Sequence, residues 1–197
     1  MTEKQIESVK RKIAKIKKGL AADKKHWGGF HHDSGGLRYL PPELYLKIQD
    51  YTGSLRYFNW FSKNFPEDSE HPIILFEWAV TLYKTKRIQL AEKKIKQTFF
   101  SNTLLLDMFL GKAPLLLNKS EQIKWEHEQL IKHFKYSKNQ VELTDFTQWL
   151  DSFMKTESFL EFANKLLKLN RQIEEEPLGE IRSALVERKY KLLEQVN

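Results

Sequence analysis

The sequence predicts an all-α fold of antiparallel helical hairpins, stacked as a short array behind a basic N-terminal helix. Three observations predict it. Apolar residues recur three and four apart through most of the chain, the period of one helix face. Glycine and proline are few, 8 and 6 of 197 residues, and most stand between those segments rather than inside them. Extended runs of β-branched residues, the usual mark of strands, are rare.

The first element is a helix over residues 3–20. Ile6, Val9, Ile13, Ile16 and Leu20 form one apolar seam of about two heptads. That is short for an isolated coiled coil, and a parallel homodimer would set Lys10, Lys12 and Lys17 against their own copies. The seam is therefore expected to pack on the body of the same chain. The acidic stretch Glu174, Glu175, Glu176 and Glu180 offers a complementary surface within that chain. Residues 1–25 hold nine Lys and Arg against three acids, so this segment carries six of the seven net positive charges.

Residues 26–41 read as a loop with four glycines and no helical period. It contains His26, His31, His32 and Asp33, and is expected to be an ordered cover packed by Trp27, Phe30 and Tyr39. Pro41 and Pro42 suit the first turn of a helix that carries Leu44, Tyr45 and Ile48 inward. Asp50 to Gly53 turn the chain, and a second helix runs from about Ser54 to Asn64 until Pro66 closes the unit. Pro72 opens a helix with Leu75, Trp78, Ala79 and Leu82. The next carries Ile88, Ala91, Ile95 and Phe99. A short helix, Leu104 to Leu110, stops at Gly111. Pro114 and Ser120 open a stretch with Ile123, Leu130 and Phe134. Thr144 is expected to cap a helix with Phe146, Leu150 and Phe153. A longer one, near residues 157–173, shows Phe159, Phe162, Ala163, Leu166 and Leu169. After Pro177 a last helix carries Ile181, Leu185, Leu192 and Val196. The expected organisation is a basic helix (1–25), the loop (26–41) and a helical-repeat-like domain (42–197).

Residues 42–102 resemble the tetratricopeptide repeat family. In that family a turn leads to a second helix that begins with a small residue. A bulky residue follows four positions later, a packing residue three after that, and a proline ends the unit. Ser54, Phe58, Phe61 and Pro66 stand at those spacings, and Tyr51 suits the turn. Ala79 and Ala91 are twelve apart, like the family's two small packing residues, with Leu82 and Ile95 at bulky positions. The resemblance implies helices brought close by small residues, and a scaffold that binds a protein or peptide partner.

Composition narrows the chemistry. With 41% hydrophobic and 13% aromatic residues the chain is too apolar for disorder. It has no cysteine, which excludes disulfides, thiolate metal sites and thiol nucleophiles. No continuous apolar stretch follows the N-terminal lysines, so neither a secretory signal nor a membrane span is expected, and a cytoplasmic location is the default. Adjacent His31 and His32 point apart in a regular backbone, while His127 and His133 fall on different faces of a helix, so no metal and no cofactor are expected. Ser34-Gly35-Gly36 lacks the spacing and lysine of a phosphate-binding loop. No nucleophile, base and acid can be brought together from spacing alone.

The function expected from these readings is a non-enzymatic helical-repeat adaptor. Its groove would draw on Tyr45, Trp78, Tyr83 and Lys84 to bind a protein or peptide. The alternative is a nucleic-acid-associated protein using Lys10, Arg11, Lys15 and Lys18 against phosphates. A third reading is a metal-dependent enzyme on the 26–33 loop.

Overall fold

The computed structural model describes residues 1–68, 71–112, 130 and 132–196. Among them are nine α-helices and no strand. They are α1 (Glu3–His26), α2 (Leu40–Lys47), α3 (Tyr51–Asn64), α4 (Pro72–Lys84), α5 (Ile88–Ser101), α6 (Leu105–Leu110), α7 (Thr144–Phe153), α8 (Glu157–Glu175) and α9 (Glu180–Glu194). The chain divides into two compact units, Met1–Ala91 and Glu92–Asn197, and the division falls within α5. The expected helix starts around Pro114 and Ser120, with Ile123 and His127, lie outside the described residues.

In the first unit, α1 opens on a capping box. The Thr2 hydroxyl accepts from the Gln5 backbone N–H, and the Gln5 side chain accepts from the Thr2 N–H, so two orphan donors of the first turn are satisfied. Lys24, Lys25 and His26 sit in its last turn, where the helix dipole favours cations. The helix is therefore longer than its apolar seam and absorbs the start of the expected loop. Ile13, Ile16 and Leu20 are buried, with Ile6 and Val9 half-buried. The seam docks on α2 and on a 3-10 turn at Leu37–Tyr39, as the amphipathic pattern requires. It joins a core of Leu44, Tyr45, Tyr57, Phe58, Phe61 and Ile74.

Helices α2, α3 and α4 pack on one another in that core. Asp50, expected as part of a break, caps α3 through its carboxylate and accepts from the Gly53 N–H at 2.8 Å. Gly53 thus lies inside the helix. A Cβ there would come within 2.7 Å of the Tyr45 ring, so glycine permits the close approach of α2 and α3. Between α3 and α4, buried Ser54 and Thr81 share a hydrogen bond of 2.8 Å, and Phe58 stacks on Trp78 at 4.8 Å.

The second unit is held by aromatic contacts. Phe99 of α5 and Phe153 of α7 both meet Phe159 of α8 edge-on, and Phe109 of α6 meets Phe146 of α7. Helices α8 and α9 pack side by side. Gly111 ends α6 in the left-handed conformation, as its position suggested. Two sequence expectations change here. Thr144 is the first residue of α7 and not its cap, and its hydroxyl donates instead to the Val141 carbonyl. Ile181 is exposed, although it shares a face of α9 with the buried Leu185 and Leu192, because it lies in the first turn of the helix, ahead of the buried part of that face. Lys94 of α5 donates to the Gln97 side chain at 2.6 Å, and burial lowers its pKa from the ordinary 10.5 to about 8.

Leu20→Ala should destabilise the first unit by about 2–5 kcal/mol, the cost of truncating a buried leucine, and deleting residues 1–20 should lower the melting temperature further. Unchanged melting of both variants would mean that the seam is not core. For Lys94 the unfolded chain holds the extra proton between pH 8 and 10.5, so its contribution raises stability with pH across that window. Urea titrations of wild type and Lys94→Met at pH 7 and pH 10 should show the wild type gaining on the variant as pH rises.

Candidate functional site

Burial of the α1 seam decides where its charges go. At 100° per residue, Lys4, Arg11, Lys15, Lys18 and Lys25 fall on one row opposite Ile13, Ile16 and Leu20. All five are exposed, as is Glu7, the one acid on the same row, and the row is about 32 Å long at 1.5 Å per residue. Lys10 and Lys12 flank it, and Lys17 and Lys24 lie beside the buried seam; all four are exposed. Only two of these nine cations have a side-chain partner among the described residues. Arg11 meets Glu7 at 3.5 Å, and Lys24 donates to the Asn64 side chain at 2.8 Å. Three of the four residues expected to meet phosphates, Arg11, Lys15 and Lys18, lie on the row, and Lys10 lies on its flank. Lys4 and Lys25 complete the row, and heptad spacing from Arg11 and Lys18 is the signal that finds them.

The loop after α1 has a fixed base and an open tip. Asp23, still in α1, accepts from the His32 N–H at 2.9 Å and the Asp33 N–H at 3.3 Å, which ties the returning chain to the helix. Asp33 is buried. Its carboxylate accepts from the backbone N–H groups of Leu37 and Arg38 and from the Arg38 guanidinium at 3.0 Å. Arg38 also donates to Asp68 and to the Tyr39 hydroxyl, and lies over the rings of Tyr39 and Phe65. Burial pulls the guanidinium pKa down, but the bonds to Asp68 and Asp33 outweigh it and hold it above its ordinary value. Tyr57 donates to the Arg38 carbonyl at 2.7 Å, and burial raises the pKa of its phenol. The His31 ring is packed against Trp60 and Phe65 with only 4% of its side chain exposed.

The tip departs from the sequence reading. Tyr39 packs as expected, against Phe61 and His71. Trp27 and Phe30, expected to pack the cover, are 50% and 78% exposed. Gly28 and Gly29 both take positive φ and carry the chain outward past the end of α1, so the packing role falls to His31 instead. The rings of His26 and His32 lie against Trp27 at 5.2 and 4.9 Å. His26, His31, His32 and Asp33 therefore divide between two places, the histidines at 26 and 32 around the tip and the other two at the base. Among the described residues no three His, Asp or Glu are grouped to hold a metal ion.

The residues expected to line a peptide groove do not share one surface. Tyr45 is 8% exposed and belongs to the core. Trp78 is half-buried against Phe58. Tyr83 and Lys84 are half-exposed at the end of α4, with the Lys84 ammonium 5.6 Å from the Tyr51 ring. The second unit has a cleft of about 380 Å³ whose lining includes Lys96, Ser158, Phe162, Lys165 and Leu192. Glu157 and Glu161 share that wall with the lysines, so the cleft has no single sign of charge.

No protein-family model, no curated protein and no solved structure matches this chain.

Asp33→Ala would leave the Leu37 and Arg38 N–H groups without their acceptor and Arg38 with one carboxylate fewer. Breaking a mostly buried pair of this kind costs about 3 kcal/mol. Urea unfolding of Asp33→Ala should show that loss, while Asp33→Asn, which keeps an acceptor oxygen, should lose less.

Proposed function

We propose that this is a non-enzymatic binding protein whose basic N-terminal helix takes a nucleic acid along its outer face. One observation carries the reading. The α1 seam is already used on the protein's own core, so the helix is held as a fixed rod with its cations turned to solvent. Four cations of the row, Lys4, Lys15, Lys18 and Lys25, have no side-chain partner among the described residues, and such a line gains most from a polymer with regularly spaced negative charges, because each phosphate neutralised releases condensed counterions.

The adaptor reading for a protein or peptide partner stands second. It is supported by the close packing of α2, α3 and α4, with Ser54 and Ala79 buried, and by half-exposed Tyr83 and Lys84. The burial of Tyr45 and the packing of Trp78 against Phe58 leave it less surface than the charged row has. Metal chemistry at the loop competes with structure, since Asp33 and His31 are both used in holding the base.

The test is fluorescence anisotropy of a labelled oligonucleotide over a salt series. Binding at about 50 mM salt should weaken as salt rises, and each of Arg11→Gln, Lys15→Gln and Lys18→Gln should lower the steepness of the log–log plot by about 0.7–0.9. A wild-type protein that leaves the anisotropy unchanged at low salt would sink the reading.

A further inference from the structure

We infer that the tip of the loop, Trp27 with Phe30, is a stacking platform that makes the basic helix prefer single-stranded over double-stranded nucleic acid. The inference rests on the function proposed for α1 and adds what that row alone does not specify. Trp27 follows directly on the last residue of α1, two positions beyond Lys25, so the aromatic tip stands at the end of the helix that carries the cationic row. The loop is anchored where a platform needs rigidity. Asp23 holds His32 and Asp33, and Asp33 with Arg38 locks the return. Beyond those anchors Phe30 meets no other ring among the described residues and stands 78% exposed. A Cβ placed at Gly28 or Gly29 would touch nothing within 4 Å, so the approach to the tip is open.

Two exposed aromatics beside a line of cations fit two kinds of anionic surface, a nucleic acid strand or a lipid headgroup layer. The ring geometry favours the strand. His26 and His32 lie against Trp27, and entering the acyl region of a bilayer would drag both imidazoles out of water. Stacking an unpaired base on the tip, where Phe30 is 78% exposed and Trp27 50%, leaves the imidazoles hydrated. A duplex keeps its bases stacked on one another and offers the platform nothing, while its phosphates still serve the row.

The experiment compares three probes with full-length protein: a labelled oligothymidylate, a mixed-sequence duplex of the same length, and vesicles with phosphatidylglycerol. The variants are Trp27→Ala, Phe30→Ala and the triple change Arg11→Gln, Lys15→Gln, Lys18→Gln. All five positions are exposed, and matching circular dichroism and melting curves confirm that each variant folds. Trp27→Ala should weaken oligothymidylate binding by about tenfold, within the range for losing one base–aromatic stack. Phe30→Ala should weaken it in the same direction, both should leave duplex affinity within about twofold, and the triple change should weaken both nucleic acids. Equal oligothymidylate affinity for wild type and Trp27→Ala overturns the platform but leaves the basic row standing. Loss of both nucleic acids from wild type itself overturns the row and the platform together. Vesicle binding that depends on Trp27, with oligothymidylate binding that does not, assigns the tip to a membrane and overturns the inference.

Discussion

Burial of Ile13, Ile16 and Leu20 is the constraint on which the first unit turns. Each of these side chains would forfeit roughly 1.5–3 kcal/mol if left in water, and the only apolar face of α1 is the one they form. Docking that face on α2 and the 3-10 turn leaves the helix no rotational freedom. The opposite row of cations then has a fixed direction, so the backbone that carries it need not be ordered when a ligand arrives. A free basic arm would lose conformational entropy on binding, and a docked rod has lost it already in folding. The charge pattern and the packing pattern are two faces of one amphipathic helix, and the second makes the first usable.

The same docking organises the loop. Asp23 sits in α1 close to the seam, where the returning chain passes, and its carboxylate accepts the backbone of His32 and Asp33. Asp33 and Arg38 then form a knot in which backbone N–H groups, a carboxylate and a guanidinium satisfy one another. Such a network is worthwhile only when it is complete, because a half-satisfied buried charge is costly. Its effect is to close the base of the loop while Gly28 and Gly29 send Trp27 and Phe30 away from it. Large aromatics in water contribute nothing to folding stability.

The second unit is built differently. Its helices meet through edge-on phenylalanines rather than through a docked basic helix, and its cleft mixes Lys96 and Lys165 with Glu157 and Glu161. Interleaved charges of both signs cancel at a distance of a Debye length or less. That cleft therefore lacks the long-range attraction of α1, and a ligand there would have to be matched by shape and short contacts.

The seam of α1, the helix periods after it and the stop at Gly111 were legible in the sequence because they depend on local spacing. So was the concentration of charge in residues 1–25, which is a matter of counting. The candidate site was only half legible. Arg11, Lys15 and Lys18 could be named from the basic run, but their alignment with Lys4 and Lys25 opposite the core required knowing which face was buried. Tyr45 was expected both to point inward with Leu44 and Ile48 and to line a groove, and its close approach to Gly53 of α3 decided for the core. Trp27 and Phe30 looked like packing residues and are exposed. Local spacing and the distribution of charge along the sequence determined that the chain would be helical and locally basic. Tertiary structure decided which aromatics were core and which were surface, because burial is set by what the rest of the chain places opposite a side chain, and residues far apart in sequence supply that opposite face.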